Sequence, residues 1–512
     1  MPYNGGVMQK IFSLLLMLLC CCLYALEPDE VVVVYNADSE LSTEAMRRYC
    51  SGRRIPFAHR LPLYGVARGD ISRADYDLKI KSALLIAGRD KSLIWPAGQQ
   101  GRGKKIKAMV LMPDLPLRIK EEPVNGKTPQ NGVPSNAAAL DSELMLLGAE
   151  YPLASHGANP YYNKPALPAA DERRVVMAVC RIDGPDKECI KRMIDDPFKV
   201  ESTGLQGWTV VDTGGKYKQG DLMMEKIAGI CTQNLKPLFY EKSKSTIAND
   251  YPLMTNVVCY FGWYINPANG PFRKESATEF AFAPGAVAFH LHSYSATSIY
   301  DGKTWVSALL QRGAAVTAGN VAEPFLGPSL NCGLFYEHLA NGLQVADAAL
   351  LASPSVSWQC IIMGDPLYRP FPQNGTRASE ANPFVRWQKM VRYFKGDLAA
   401  MKKGMDAELK RKDAALFAEI YAGHCREQGK LKEAAKYYLL AAEKYGPVRD
   451  KLRAYLCLAY TQQEDMSPED AGKTMELVLE RYAESIYAAA IKKAAADIPI
   501  KKPEPPPAPP TK

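Results

Sequence analysis

Between Pro284 and Glu323 the sequence spells out strand, loop, helix and strand, an order that few chain topologies accommodate. Residues 286–291 are an apolar run with the character of a buried strand. Helical spacing covers 304–311, and Gly313 ends it as a C-terminal glycine does. A second short apolar run, 314–318, closes at Gly319 and Asn320. The pattern predicts a βαβ unit of a parallel sheet. His292, Ser293, Tyr294 and Ser295 lie just past its first strand, where open α/β sheets place their ligands.

The same alternation extends to both sides. Strand-like runs occur at 31–35, 59–63, 106–112, 175–182, 207–212, 253–261 and 358–363. Helical patterns occur at 39–49, 72–86, 137–147, 186–193, 219–235, 332–340 and 345–351. Residues 27–372 are therefore expected to form an α/β domain, doubly wound around a mostly parallel sheet. Gly-, Pro- and Asn-rich residues 124–135 and Pro-, Asn- and Tyr-rich residues 151–169 are expected to be irregular. A connector spans 373–398. From 399 to 497 Ala, Lys, Glu, Leu and Tyr dominate, and 415–445 and 452–482 repeat a helix–turn–helix plan with turns at Gly429 and Ser467-Pro468. That period predicts a small all-α, tetratricopeptide-like domain, with an unspecialised helical bundle as the plainer alternative. Residues 498–512 make a Pro-rich tail without the composition for a core.

Lys10 precedes an almost wholly apolar stretch, residues 11–26, which is followed by Glu27-Pro28-Asp29-Glu30. A basic start and a short apolar span read as a signal peptide over 1–25, cut after Ala25, so export to the periplasm or cell envelope is expected. Cys20, Cys21 and Cys22 admit a lipid-anchored alternative, and an uncleaved anchor is a third. No later stretch is long enough to span a bilayer. Of the 12 cysteines, three lie in this leader, and the rest show no CxxC spacing, which argues against a zinc module. Cys180 and Cys259 stand in strand-like runs and read as small buried hydrophobes. A net charge of +8 over 512 residues is modest, and the short basic run at Lys104-Lys105 lacks interleaved aromatics, so no nucleic-acid partner is expected.

Candidate chemistry centres on His290 and His292. Two residues apart on a strand, they would face the same side and suit two metal ligands, with Asp301, Glu323 or Asp365 as a third. No HExxH or Asp-rich loop supports a metal, and no motif implies a cofactor. Strand-end histidines that hydrogen-bond neighbouring loops are the commoner case. A Cys259–His290 pair would suit a cysteine nucleophile, although Cys259 sits inside an apolar run. Ser293 and Ser295 lack the GxSxG surroundings of a serine nucleophile. Asp365, between Gly364 and Pro366, reads foremost as a turn residue, as does Asp183 before Gly184. Trp263, Tyr264, Tyr294 and Glu323 are candidates for lining a binding cleft.

Arg53-Arg54-Ile55-Pro56, His290-x-His292-Ser293-Tyr294-Ser295-Ala296 and Gly364-Asp365-Pro366-Leu367-Tyr368-Arg369-Pro370 together resemble an uncharacterised family of exported bacterial proteins from genomes that encode exosortase. The resemblance covers residues 29–371 and implies a context, envelope protein sorting or exopolysaccharide export, without an activity. A more distant resemblance runs to gingipain-type cysteine peptidases and implies a caspase-like fold. In that comparison residues 257–262 fall where the peptidases' His-Gly strand belongs and read Phe261-Gly262. Residues 287–296 fall where their Ala-Cys strand belongs and hold no cysteine. The resemblance thus implies the fold with the cysteine chemistry absent or replaced. The combined expectation is an exported accessory or binding protein, with an envelope protein partner recruited by the helical part. The alternative is a peptide hydrolase, or a metal-dependent one, using the loop that carries His290, His292 and Ser293, with Asp365 in support.

Overall fold

The computed structural model describes residues 25–97, 103–122, 136–149, 157–168, 175–242, 247–265, 268–273, 276, 279–372 and 378–498. The expected leader, apart from Ala25, the loop at 124–135, most of the tail, and parts of 151–169 and of the connector lie outside these residues.

The chain is mixed α/β, with mostly parallel strands in its N-terminal part and a run of helices after them. Its principal strands are β1 (Val31–Asn36), β2 (Arg60–Leu63), β3 (Ala108–Leu111), β4 (Ala178–Arg181), β5 (Trp208–Asp212), β6 (Leu238–Glu241), β7 (Val257–Gly262), β8 (Val287–His290), β9 (Thr317–Asn320) and β10 (Cys360–Met363). They form a six-stranded sheet ordered β9-β10-β4-β3-β1-β2 and a four-stranded sheet ordered β6-β5-β7-β8. Each is parallel except at β9, which runs antiparallel to β10. A parallel bridge between Val287 and Val316 joins the two, with Ala288 N–H donating to Val316 O at 2.9 Å. The halves therefore point in opposite directions. The carboxyl ends of β5, β7, β8 and β9 gather at one rim, and those of β1, β3, β4 and β10 at the other.

Both sheets are covered on two faces, which explains their unbroken apolar runs. In β1, Val31 and Val33 enter one core and Val32 and Val34 the opposite one. In β7, Tyr260 joins one core and Cys259 and Phe261 the other. The covering helices include α1 (Glu40–Arg53), α2 (Lys187–Val200), α3 (Lys218–Gln233), α4 (Trp305–Gln311), α5 (Cys332–Ala340) and α6 (Val345–Ala352). Ser39 caps α1 by accepting from Ser42 N–H, and Asp186 caps α2.

Several bounds differ from the sequence expectation. α2 runs past Met193 to Val200, through Pro197, because Ile190, Met193, Ile194 and Pro197 continue one buried stripe. β6 gave no signal because only Leu238 of its four residues is buried. The 137–147 helix shrinks to Leu140–Leu144, since Ala138 and Ala139 pair as strand. The connector is also more than a link. Its described part holds α7 (Pro383–Tyr393), capped by Asn382, whose Trp387 is fully buried and donates its indole N–H to Leu235 O at 2.6 Å.

Helices α8 (Leu398–Glu408), α9 (Ala414–Glu427), α10 (Leu431–Lys444), α11 (Val448–Glu464), α12 (Pro468–Tyr482) and α13 (Ala488–Asp497) complete the chain. One hydrophobic cluster runs from Val210 and Tyr260 of the sheet into Phe417, Tyr438, Leu456 and Met475 of these helices. Buried Arg453 ties the two parts, pairing with both Glu419 oxygens and with Asp450 and donating to Pro252 O. Among the described residues no helix is long and apolar enough to cross a membrane. The nine described cysteines are unpaired, and all but the half-buried Cys360 are buried.

Asp365 serves the turn after β10, accepting Leu367 N–H at 2.9 Å, and also closes an ion pair. Its carboxylate is buried and takes Tyr49 O–H at 2.7 Å and Arg53 Nε–H at 2.5 Å, while Arg53 forks onto Glu201. Losing one partner of a buried pair costs up to about 3–5 kcal/mol, and less where the cation keeps another partner, as Arg53 does in Glu201. Asp365→Ala should lower the unfolding free energy from urea titration by about 2–3 kcal/mol, and Glu201→Ala, at the half-exposed end, by clearly less.

Candidate functional site

The loops after β5, β7, β8 and β9 enclose a cleft of about 700 Å³ at their shared rim. Trp263, Tyr264, His292, Ser293 and Glu323, all candidates from the sequence, line it. The structure adds Lys216 and Tyr217 from the β5–α3 turn, Lys218 and Gln219 from the start of α3, and Phe325 and Leu326 after β9. The signal for the first group was present: Gly214-Gly215-Lys216-Tyr217 follows a buried parallel strand, as the His292 loop does. The Phe325 wall has no local signal, since its position depends on how β9 and β10 pair.

His290 is fully buried and acts behind the cleft. Its ring stacks on Trp305, with centroids 3.6 Å apart and planes 7° apart. Ile265 N–H donates to its Nε2 at 3.3 Å, so the proton sits on Nδ1 and is given to the Tyr260 hydroxyl at 2.9 Å. Tyr260 in turn donates to Asp212 at 3.3 Å. The Trp305 indole donates to Ile265 O at 2.7 Å. Residue 265 is thus clamped through both backbone groups, and the clamp fixes Trp263 and Tyr264 just before it. A Cβ on Gly262 would lie 2.3 Å from the Tyr260 hydroxyl oxygen, so glycine is required for the chain to form. Burial holds the imidazole well below its ordinary pKa, with His292 adding to the effect.

His292 lies beyond the end of β8, so strand alternation no longer governs it. It stacks on Tyr264 at 4.3 Å, and its Nδ1–H donates to the Ser293 carbonyl. That bond leaves Nε2 as the unprotonated nitrogen. Burial and the Lys216 charge lower its pKa, while the Ser293 bond and Glu323 oppose them. The loop is held from below by Asn320, which donates to His292 O at 3.1 Å. Ser295 Oγ accepts Asn320 N–H and is committed there. Trp263 forms the floor, donating to Asp221 on α3 at 2.8 Å, and Gly220 leaves room for its ring. Glu323 turns one oxygen to Phe325 N–H at 3.0 Å.

The remaining candidates are placed elsewhere. Tyr294 is half-exposed at positive φ and is not among the residues lining the cleft. Asp301 caps the turn into α4 through Lys303 N–H, and Asp365 stands after β10, at the opposite rim. His338 lies on α5. Among the described residues no three His, Cys, Asp or Glu side chains converge as metal ligands. Cys259 and His290 do lie on adjacent strands, with Gly262 level with His290, but Cys259 faces the opposite core and its thiol is pushed up to about 12 by burial. That pair therefore does not form. No family model, curated protein or solved structure matches the chain.

The two histidines should separate cleanly on substitution. His290→Ala removes the Ile265 anchor and opens a void against Trp305, for a loss of about 2–4 kcal/mol. His292→Ala, at the cleft surface, should stay within about 1 kcal/mol of the wild type in the same urea titration.

Acid should remove the stability that the buried, neutral histidines contribute. All five described histidines, His59, His290, His292, His338 and His424, sit below their ordinary pKa, chiefly through burial. The unfolded chain then binds more protons below about pH 6.5, so stability is intact above that pH and falls as pH drops. His424 is lowered to about 4. It alone should remove about 3 kcal/mol between pH 6.5 and 4. Burial raises the carboxyls of Asp183, to about 6, and of Asp212, and these bind protons in the fold over the same range and oppose the decline. The check is therefore differential: from pH 6.5 to 4 the unfolding free energy from urea titration should fall by about 3 kcal/mol more in the wild type than in His424→Leu.

Proposed function

We propose that this chain is a binding protein, built on a peptidase-like domain without peptidase chemistry, whose cleft holds a peptide segment. The observation that carries this reading is the pairing state of each group a hydrolase needs. His290 spends both nitrogens on Tyr260 and Ile265, Cys259 faces the other core, and Ser295 is bonded to Asn320. What remains at the cleft is a set of recognition groups: aromatic faces, an apolar wall and charged tips.

We further assign the N-terminal part to the caspase-like class and the helices to a tetratricopeptide-like array. Support for the first is that β7 and β8, the strands matched to the peptidases' catalytic pair, are parallel neighbours with a cleft at their carboxyl ends. Support for the second is the succession of helix hairpins of similar length from α9 to α12. With the sequence resemblance, the reading we propose is an exported accessory factor of envelope protein sorting or exopolysaccharide export, with the helices as the surface for an envelope partner.

A second reading has one observation in its favour. The Ser293 carbonyl fixes the His292 proton on Nδ1, which leaves Nε2 as a base at a cleft that Ser293 also lines. Incubation with a pool of random hexapeptide amides separates the two. Binding predicts that retained peptides are recovered intact by mass spectrometry. Cleavage by the wild type that disappears in the stably folded His292→Ala would overturn it in favour of the hydrolase.

A further inference from the structure

The charge of the cleft restricts what enters it. Lys216 in the exposed β5–α3 turn and Lys218 at the first position of α3 both line the cleft, and neither ammonium lies within ion-pair distance of a carboxylate among the described residues. Lys216 is not loose. Its Nζ sits 4.2 Å over the Tyr264 ring and 5.6 Å from the Tyr217 ring, held against the cleft wall by the negative faces of both. The rings meet edge to face with centroids 6.2 Å apart, and His292 stacks on the far side of the same group.

Of the carboxylates nearby, Glu323 lines the cleft and Asp221 does not, which sets one negative charge against the two ammonium groups. Asp221 accepts from the Trp263 indole and from Gly215 N–H, and Glu323 accepts from Phe325 N–H. His292 adds no positive charge at neutral pH, since its Nε2 is unprotonated. One ammonium group, that of Lys216, thus stands over aromatic rings, and Lys218 lines the same cleft. Phe325, Leu326, Pro324 and Leu291 make an apolar wall with few hydrogen-bonding groups. Apolar side chains fit that wall better than the hydroxyl-rich edges of a sugar.

We propose that the cleft selects peptides carrying a carboxylate, which pairs with Lys216 and Lys218 while neighbouring apolar side chains pack against Phe325 and Leu326. This rests on the peptide-binding reading above and names its ligand class. A carboxylate reaches such a site either as an acidic side chain or as a free C-terminus, and the chemistry of recognition is shared. The aromatic rings add to selectivity by lowering the local polarity around the Lys216 ammonium, so its ion pair is worth more there than in open solvent.

The test uses the whole chain, immobilised, and pools of N-acetylated hexapeptides with the other positions randomised. One pool fixes a central glutamate, one glutamine and one lysine, all as C-terminal amides, and a fourth fixes glutamine with a free carboxyl terminus. Retention is read by mass spectrometry. The glutamate pool or the free-carboxyl pool should be retained about tenfold over the glutamine amide pool, the worth of one charge-assisted contact. The pool that gains identifies the source of the carboxylate. The enrichment should vanish in the Lys216→Ala/Lys218→Ala double variant, whose exposed positions leave the melting temperature unchanged, and it should shrink as salt rises. Equal retention of all four pools overturns the carboxylate preference and leaves peptide binding standing. Preference for the lysine pool overturns it as well. Retention of no pool overturns the peptide-binding reading itself, and retention instead of an oligoglucuronate, run in parallel, would assign the cleft to an acidic glycan.

Discussion

The hydrogen bond between Tyr260 and His290 depends on a missing side chain. Gly262 lies between them in the β7–β8 register, and any Cβ there would collide with the hydroxyl. Because the space is empty, Tyr260 reaches His290, His290 accepts Ile265 N–H, and Trp305 takes the carbonyl of the same residue. The loop that follows β7 is thereby fixed at both backbone groups of one residue. Trp263 and Tyr264 inherit their positions from that clamp, and Tyr264 supplies the surface on which His292 and Lys216 rest. A buried imidazole with both nitrogens satisfied rigidifies the rim without contributing a proton to it.

Polarity across the molecule is arranged on the same principle. Buried charges occur where they are paired: Asp365 with Arg53, Arg181 with Asp141, Arg453 with Glu419. Each ties segments distant in sequence. Arg53 of α1 meets the turn after β10, and Arg453 of α11 reaches the carbonyl of Pro252 ahead of β7. The helices are further held by Asp250, which accepts N–H groups of Ala489 and Ala490 at the start of α13. The carboxylate occupies a helix N-terminus whose amides would otherwise lack partners. With the hydrophobic cluster that crosses from sheet to helices, these contacts make the helical part an extension of the β5–β8 half rather than a body on a tether.

Much of the fold is readable from local pattern. The 286–318 stretch predicts a strand, a helix and a second strand, and β8, α4 and β9 fall there. Helices α5 and α6 match their expected spans to within a residue, since a capping Asn331 and the break at Gly342 bound them. Five of the candidate site residues converge because they follow parallel strands whose carboxyl ends share a rim. The misses have a common cause. The edge strand β6 buries one residue in four, so it lacks the periodicity by which strands are recognised. Helix α7 looked like a connector because its apolar residues find their partner, Leu235 and the helices beyond, only in the folded chain. The pairing of His290 with His292 as equivalent groups failed because β8 stops at His290 and alternation stops with it.

By itself the sequence determined the alternation of strands and helices, the change to an all-helical composition near residue 399, and the loop after β8 as the place where polar groups collect. Short-range physics is enough for that: burial periodicity, caps and turn glycines act over a few residues. Tertiary structure alone decided that the two parallel halves run in opposite directions, that Cys259 and His290 face different cores, and that Lys216 and Phe325 belong to the cleft. These outcomes depend on which strand edges meet and on what register they adopt. Those choices bring together residues more than a hundred positions apart, and no local pattern in the chain encodes them.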